Sequence, residues 1–253
     1  AAVVADLTMG TKLTFIALIP IIIFMTALGP DIAHALFAYG SFTPRAAHLL
    51  GLTISASSFT LIPYALVMLH LRVFYAREEA WTPTFIIAGI TGTKILLSAL
   101  APYIAQDPSH VVVLLGAANG FGFVAGALIG ALLLRRKLGT LRSSDVLRTS
   151  IWAVAAALVG VAVIFGVRWL LRDVAGLHLP EALGRLIGAP SLGNLIEVAM
   201  LGLLFLVVTG LVLSRSKLPE VQNLGRALQR IPGMSRFIRP DEDRALEVGE
   251  ADP

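Results

Sequence analysis

The chain has 253 residues, 57% of them hydrophobic and only 14% charged, with a formal net charge of +4 and a mean hydropathy of +0.83. A water-soluble domain carries roughly 25% charged residues, so the polar side chains here are too few to clothe a water-facing surface, and lipid must face much of the chain. The basic balance does not point to nucleic acid, because the cations sit in short segments between apolar runs, and the lack of cysteine excludes disulfides, thiolate metal sites and thiol catalysis.

The chain opens Ala1-Ala2-Val3, with neither a methionine nor a charged leader before a cleavage site. No signal peptide is read from it, and it is expected to be a piece of a longer protein. Arginine outnumbers lysine and alanine is abundant, a composition associated with a GC-rich bacterial source.

Six apolar stretches come close to the roughly 20 residues that cross a bilayer as a helix. The first runs from about Leu13 to Leu28, with Pro20 inside it, a break at Gly29-Pro30, and a short helical extension from Asp31 to Tyr39. The second runs from about Leu49 to Leu71, the third from Phe85 to Ile104, and the fourth from Val111 to Leu134. The fifth covers about Ile151 to Leu171 and the sixth Leu195 to Leu213. Barrel strands would alternate polar and apolar residues over about ten positions. These runs are longer and apolar on every face, so the expected fold is an all-α integral membrane bundle of about six transmembrane helices.

Residues 1–213 are thus expected to form the transmembrane lobe, and 214–253 a basic juxtamembrane tail on the cytoplasmic side. Fifteen cations (Lys12, Arg72, Arg77, Arg135, Arg136, Lys137, Arg142 and Arg148, with seven more from Arg215 to Arg244) fall on one side, against Arg45, Arg168, Arg172 and Arg185 on the other. By the positive-inside rule both ends of this multi-pass membrane chain are expected to be cytoplasmic. Leu179 to Ile187 reads as a short amphipathic helix on the outer surface, and Leu218 to Ile238 as a segment resting on the inner leaflet.

No paired histidines, Walker loop or Gly-x-Ser-x-Gly elbow occurs. His34, His48, His70, His110 and His178 are scattered near span ends and read as interfacial side chains. No catalytic residue, metal site, cofactor or nucleic-acid partner is expected. Lys94 stands out, about ten residues into the third span and out of easy reach of either interface. A lysine at that depth costs roughly 2.5–3.5 kcal/mol, so it needs a wet cavity or a polar partner. It is either a clamp to backbone carbonyls or Asn119, or a fixed positive charge in a transport path. Asn119 is followed by Gly122, Gly126 and Gly130, whose spacing of four suits close helix packing. Ser55, Ser57, Ser58, Thr60 and Pro63 on the second span suggest a kinked helix beside a polar cavity, although such hydroxyls also bond their own backbone.

Two segments carry a resemblance. Arg72-Val73-Phe74-Tyr75-Ala76-Arg77-Glu78-Glu79-Ala80-Trp81-Thr82-Pro83 resembles the R-x-F-Y-A-x-x-D-x-x-T-P signature of the MurJ (MviN) family, with Glu79 or Glu78 in place of the aspartate. Leu36-Phe37-Ala38-Tyr39-Gly40-Ser41-Phe42 resembles that family's L-F-x-Y-G-x-F element, at a similar separation. The resemblance implies a lipid II flippase of the multidrug/oligosaccharidyl-lipid/polysaccharide exporter superfamily, with fourteen helices in two lobes around a cavity. This chain is expected to be the C-terminal lobe, helices nine to fourteen, over about residues 10 to 215, partnered by an amino-terminal lobe outside this sequence.

Lys94 and Ser98 fall where some relatives place Asn and Asp of a cation site, and Asn119 near its Thr. The resemblance therefore implies a cavity or ion site drawing on Lys94, Ser98, Asn119, Ser55 and Ser58, with the Lys94 ammonium in place of the cation. It also implies lipid II or a similar polyprenyl-pyrophosphate lipid as cargo, and, through the basic tail, a cytoplasmic regulatory protein as in actinobacterial relatives. The alternatives are an exporter of another cargo, or a membrane scaffold that recruits cytoplasmic partners through its tail.

Overall fold

The computed structural model describes residues 2–38, 43–79, 81–105, 107–139, 143–174, 176, 178–187 and 190–216. The tail from 217, Arg142, Ala80 and the Tyr39–Phe42 part of the second motif lie outside the described residues. Among the described residues all regular structure is helical: α1 (Ala2–Phe37), α2 (Pro44–Ser57), α3 (Leu61–Ala76), α4 (Trp81–Ile104), α5 (Pro108–Leu138), α6 (Ser143–Trp169), α7 (Leu179–Ile187) and α8 (Pro190–Ser214). A 3-10 turn at Ser58–Thr60 joins α2 to α3, and a π-turn at Leu170–Val174 ends α6. Six stretches are long and apolar enough to cross a membrane.

Local chemistry sets the ends. Pro44 opens α2 behind Thr43, whose side chain accepts from the Ala46 amide. That spends a proline where no helical N–H is needed and caps an otherwise bare amide. Arg135, Arg136 and Lys137 close α5, where the helix carries its partial negative charge. The short helix Leu179–Ile187 forms where its amphipathic pattern predicts.

The break expected at Gly29-Pro30 does not occur; α1 runs through both Pro20 and Pro30. At Gly29 an added Cβ would come within 2.7 Å of the Gly51 carbonyl oxygen, and at Gly51 within 2.3 Å of the Pro30 Cα. Two helices thus touch backbone to backbone here, and the Ser55 hydroxyl donates to the Met25 carbonyl at 3.5 Å. A proline ends a helix most readily in water, whereas in an apolar bundle the helix continues through it, here with α2 packed closely alongside.

Two apolar cores organise the bundle. Val67, Leu71 and Phe74 of α3 pack with Ile86 and Ile90 of α4 and Ala127 and Leu134 of α5. Leu28 of α1 packs with Ala157 and Ile164 of α6 and Leu201 and Phe205 of α8. α2 lies against both α1 and α5 and so joins the two halves. The glycine row of α5 serves packing: a Cβ on Gly126 would meet Ile90 and Val67, and one on Gly130 would meet His70. The outward faces stay apolar, as lipid requires, with Ile95, Leu132 and Leu203 exposed.

Candidate functional site

Lys94 is half-buried on α4, and Ser98 is also half-buried one turn further on. Its stem passes Gly122 of α5, where an added Cβ would sit 2.4 Å from Cγ, and its Nζ stands 3.8 Å from the centroid of the Phe123 ring. Glycine at 122 makes room for the stem and the phenyl face receives the ammonium, a contact whose strength rises as water is excluded. The clamp to Asn119 that one of the two readings of Lys94 allows is not formed: among the described residues neither has a hydrogen bond to the other. Asn119 lies one turn along α5 from Phe123 and is exposed. Thr91 is exposed too, and a Cβ on Gly92 would meet nothing within 4 Å. Thr91, Lys94 and Ser98 follow a helical spacing, so α4 carries one polar stripe beside the exposed amide of α5.

Ser55 and Ser58 sit differently. Ser58 is buried and donates to the Ile54 carbonyl at 2.6 Å, while Ser55 reaches back to Met25. Thr53 and Ser57 likewise bond their own helix, so the hydroxyls of α2 are spent on backbone around the 3-10 turn.

The motif at the end of α3 has its own geometry. The Glu79 amide donates to the Phe74 carbonyl at 3.1 Å and the Glu78 amide to that of Tyr75 at 3.0 Å. With Glu78 at φ 57°, this is a Schellman cap whose left-handed position, usually glycine, holds glutamate. The Glu79 carboxylate then accepts from Thr82 at 2.9 Å, from Arg77 at 3.1 Å and from Lys137 of α5. The bond from Lys137, then that from Thr82, pull its pKa down to about 2. Of the two candidate acids, Glu79 is thus the one that ties the turn. Phe74 is fully buried in the core below and Pro83 is buried in the first turn of α4, while Arg72, Tyr75 and Trp81 stay exposed.

Two features were not read from the sequence. Arg168, counted with the outer loops, lies in α6 and donates twice to Asp31 of α1, at 2.9 and 2.8 Å. Its Nε stands 3.5 Å from Glu197 of α8, which is only 5% exposed. His70, expected at an interface, is 5% exposed with its Nδ1 unpaired, whereas the other four histidines are exposed. It lines a groove of about 850 Å³ between α1, α3, α5 and α6.

Six apolar spans, with polar side chains placed along their faces at membrane depth, define a multi-pass membrane protein. Residues 1–179 match the family Lipid II flippase MurJ. The match covers well over half of the chain, which therefore belongs to that family of plasma-membrane transporters of a cell-wall precursor. No solved structure matches it.

Proposed function

We propose that this chain is the C-terminal lobe of a lipid II flippase, helices nine to fourteen, and that it walls a midplane cavity shared with a preceding lobe. The precursor crosses by alternating access as the two lobes rock against each other. One observation carries this reading. Lys94 and Asn119, on adjoining helices of a chain in the lipid II flippase family, are both accessible at membrane depth. Lipid there would penalise each of them, whereas a wet cavity would not. Both ends of the chain face the cytoplasm in this reading, and residues 214–253 form a basic tail open to a cytoplasmic protein partner.

The Lys94 ammonium takes the place of a bound cation, with Phe123 as its seat and Ser98 and Asn119 beside it. Ser55 and Ser58 shape the wall through the 3-10 turn instead of offering hydroxyls to the cargo. The test is lipid II flipping by the full-length protein in vesicles with sodium or with choline. Wild type is expected to flip equally in both. Lys94→Ala should fall about tenfold or more, the scale of one lost charge-assisted contact. Sodium-dependent flipping by wild type would overturn the assignment of Lys94.

A further inference from the structure

We propose that the groove between the two halves of the bundle is a binding site for a resident anionic phospholipid of the cytoplasmic leaflet, with the lipid's phosphate end near His70. The groove opens where the half built on α1 and α6 parts from the half built on α3 and α5, and its volume is about 850 Å³. Its polar lining is gathered at one end. Thr8, Thr11, His70, Ser144 and Ser150 lie toward the starts of α1 and α6 and the end of α3, while Phe15, Ile62 and Val124 line the deeper part. Ile62 to His70 covers roughly 12 Å of helix, so the groove grades from polar to apolar along the bilayer normal, as a lipid does.

The polar end is incomplete as it stands. His70 is buried, its Nδ1 lies against Gly130, and that nitrogen has no hydrogen bond. Buried polar groups are normally paired. Thr8 and Thr11 already donate to the carbonyls of Val4 and Leu7, so lone pairs are what they have left to offer. A headgroup bearing hydroxyls supplies donors to Thr8 and Thr11, while the His70 Nδ1 itself faces Gly130. Charge selects the anion: outside the groove lining, the exposed Arg72, Arg135, Arg136 and Arg148 lie at this end of the four helices, against Asp6 and Asp145, while Lys137 there is engaged by Glu79. Basic pockets between helices on the cytoplasmic side take anionic headgroups. The transported precursor has its charge at Lys94 on α4, which does not line this groove, so the two lipids do not compete.

The leaflet rests on the orientation proposed above; the lipid class does not. Native mass spectrometry of the delipidated full-length protein, titrated with phosphatidylglycerol, phosphatidylethanolamine or undecaprenyl phosphate, tests the class. Phosphatidylglycerol should bind at least tenfold tighter than phosphatidylethanolamine, and undecaprenyl phosphate should not displace it. Ala131→Phe, which fills the groove, should cut occupancy about tenfold. Should that variant fail to fold, the exposed pair Arg135→Gln/Arg136→Gln decides, by abolishing the preference for phosphatidylglycerol. Equal binding of the two phospholipids, displacement by undecaprenyl phosphate, or full occupancy in Ala131→Phe would overturn the proposal. In this cysteine-free chain, a single cysteine at Asp6 should react with an impermeant maleimide only from inside. Reaction from outside would overturn the orientation, and with it the leaflet, independently of the binding result.

Discussion

Arg168 and Asp31, 137 residues apart, meet through two parallel N–H···O bonds of 2.9 and 2.8 Å that pin α6 to α1. The same guanidinium faces Glu197, so one cation stands between carboxylates from two other helices. Its Nε lies 3.5 Å from Glu197 but makes no hydrogen bond. Asp31 therefore holds the arginine, and Glu197 leans on a charge already engaged. Removing one partner of a partly buried, hydrogen-bonded charge pair leaves the other without compensation.

Asp31→Asn and Arg168→Gln should each lower stability by about 2 kcal/mol. The double variant should cost clearly less than the sum, because the second change removes the charge that the first left unpaired. Denaturant midpoints of the purified protein give the cycle. Additive losses, within about 0.5 kcal/mol, would mean that the pair is not coupled.

The spans could be read from the sequence because hydropathy alone sets which segments lipid accepts. The ion cluster could not. Asp31, Arg168 and Glu197 each sit near the end of an apolar run, where a lone charge looks like an ordinary interfacial one; only the fold puts three such ends together. The opposite signs at the ends of three spans were the available signal. Gly29-Pro30 misled for a related reason: its punctuating force presumes water around the helix, and here the backbone of α2 at Gly51 packs against it instead. Lys94 stands out in the sequence by its depth, but its contact with the Phe123 ring does not, since Phe123 reads as one more apolar aromatic. His70 passed for an interfacial residue because burial between α3 and α5 depends on Gly130, a contact that one strand of sequence does not announce.

The glutamate at φ 57° gives a local test. A non-glycine residue in that region costs about 1 kcal/mol, and the Glu78 carboxylate is not the one that ties the turn. Glu78→Gly should therefore raise stability by up to about 1 kcal/mol, while Glu78→Val should lower it. A thermal shift measured for both separates this cap from any role for the Glu78 charge; loss of stability in Glu78→Gly would tell against it.

Glu79 sets a pH dependence. Its folded-state pKa is lowered from 4.5 to about 2, so its contribution is fully present above the unfolded value and is lost as pH falls through the folded one. Spin labels at Ala76 and Arg136 should hold one separation from neutral pH down past 4.5 and widen only near 2. Glu79→Gln should show the widened separation already at neutral pH. An unchanged distance in that variant would remove Lys137–Glu79 as the tie between the turn and α5.

Two glycines should behave oppositely. An added Cβ at Gly51 would meet the backbone of Pro30 at 2.3 Å, which cannot swing aside, whereas one at Gly92 meets nothing within 4 Å. Gly51→Ala should cost about 2 kcal/mol or more, and Gly92→Ala should gain up to about 1 kcal/mol in helix propensity. If Gly92→Trp then stops transport at full stability, that face of α4 borders the cargo path. Equal losses of stability at both positions would show that the α1–α2 contact is not tight.

The central claim is tested most directly by surface exposure of lipid II in cells depleted of their own flippase and given the full-length protein that carries this chain. Restored growth with newly exposed lipid II, lost again in Lys94→Ala at unchanged membrane abundance, is the predicted result. A protein that reaches the membrane in full amount yet exposes no lipid II would contradict the account and leave a scaffold.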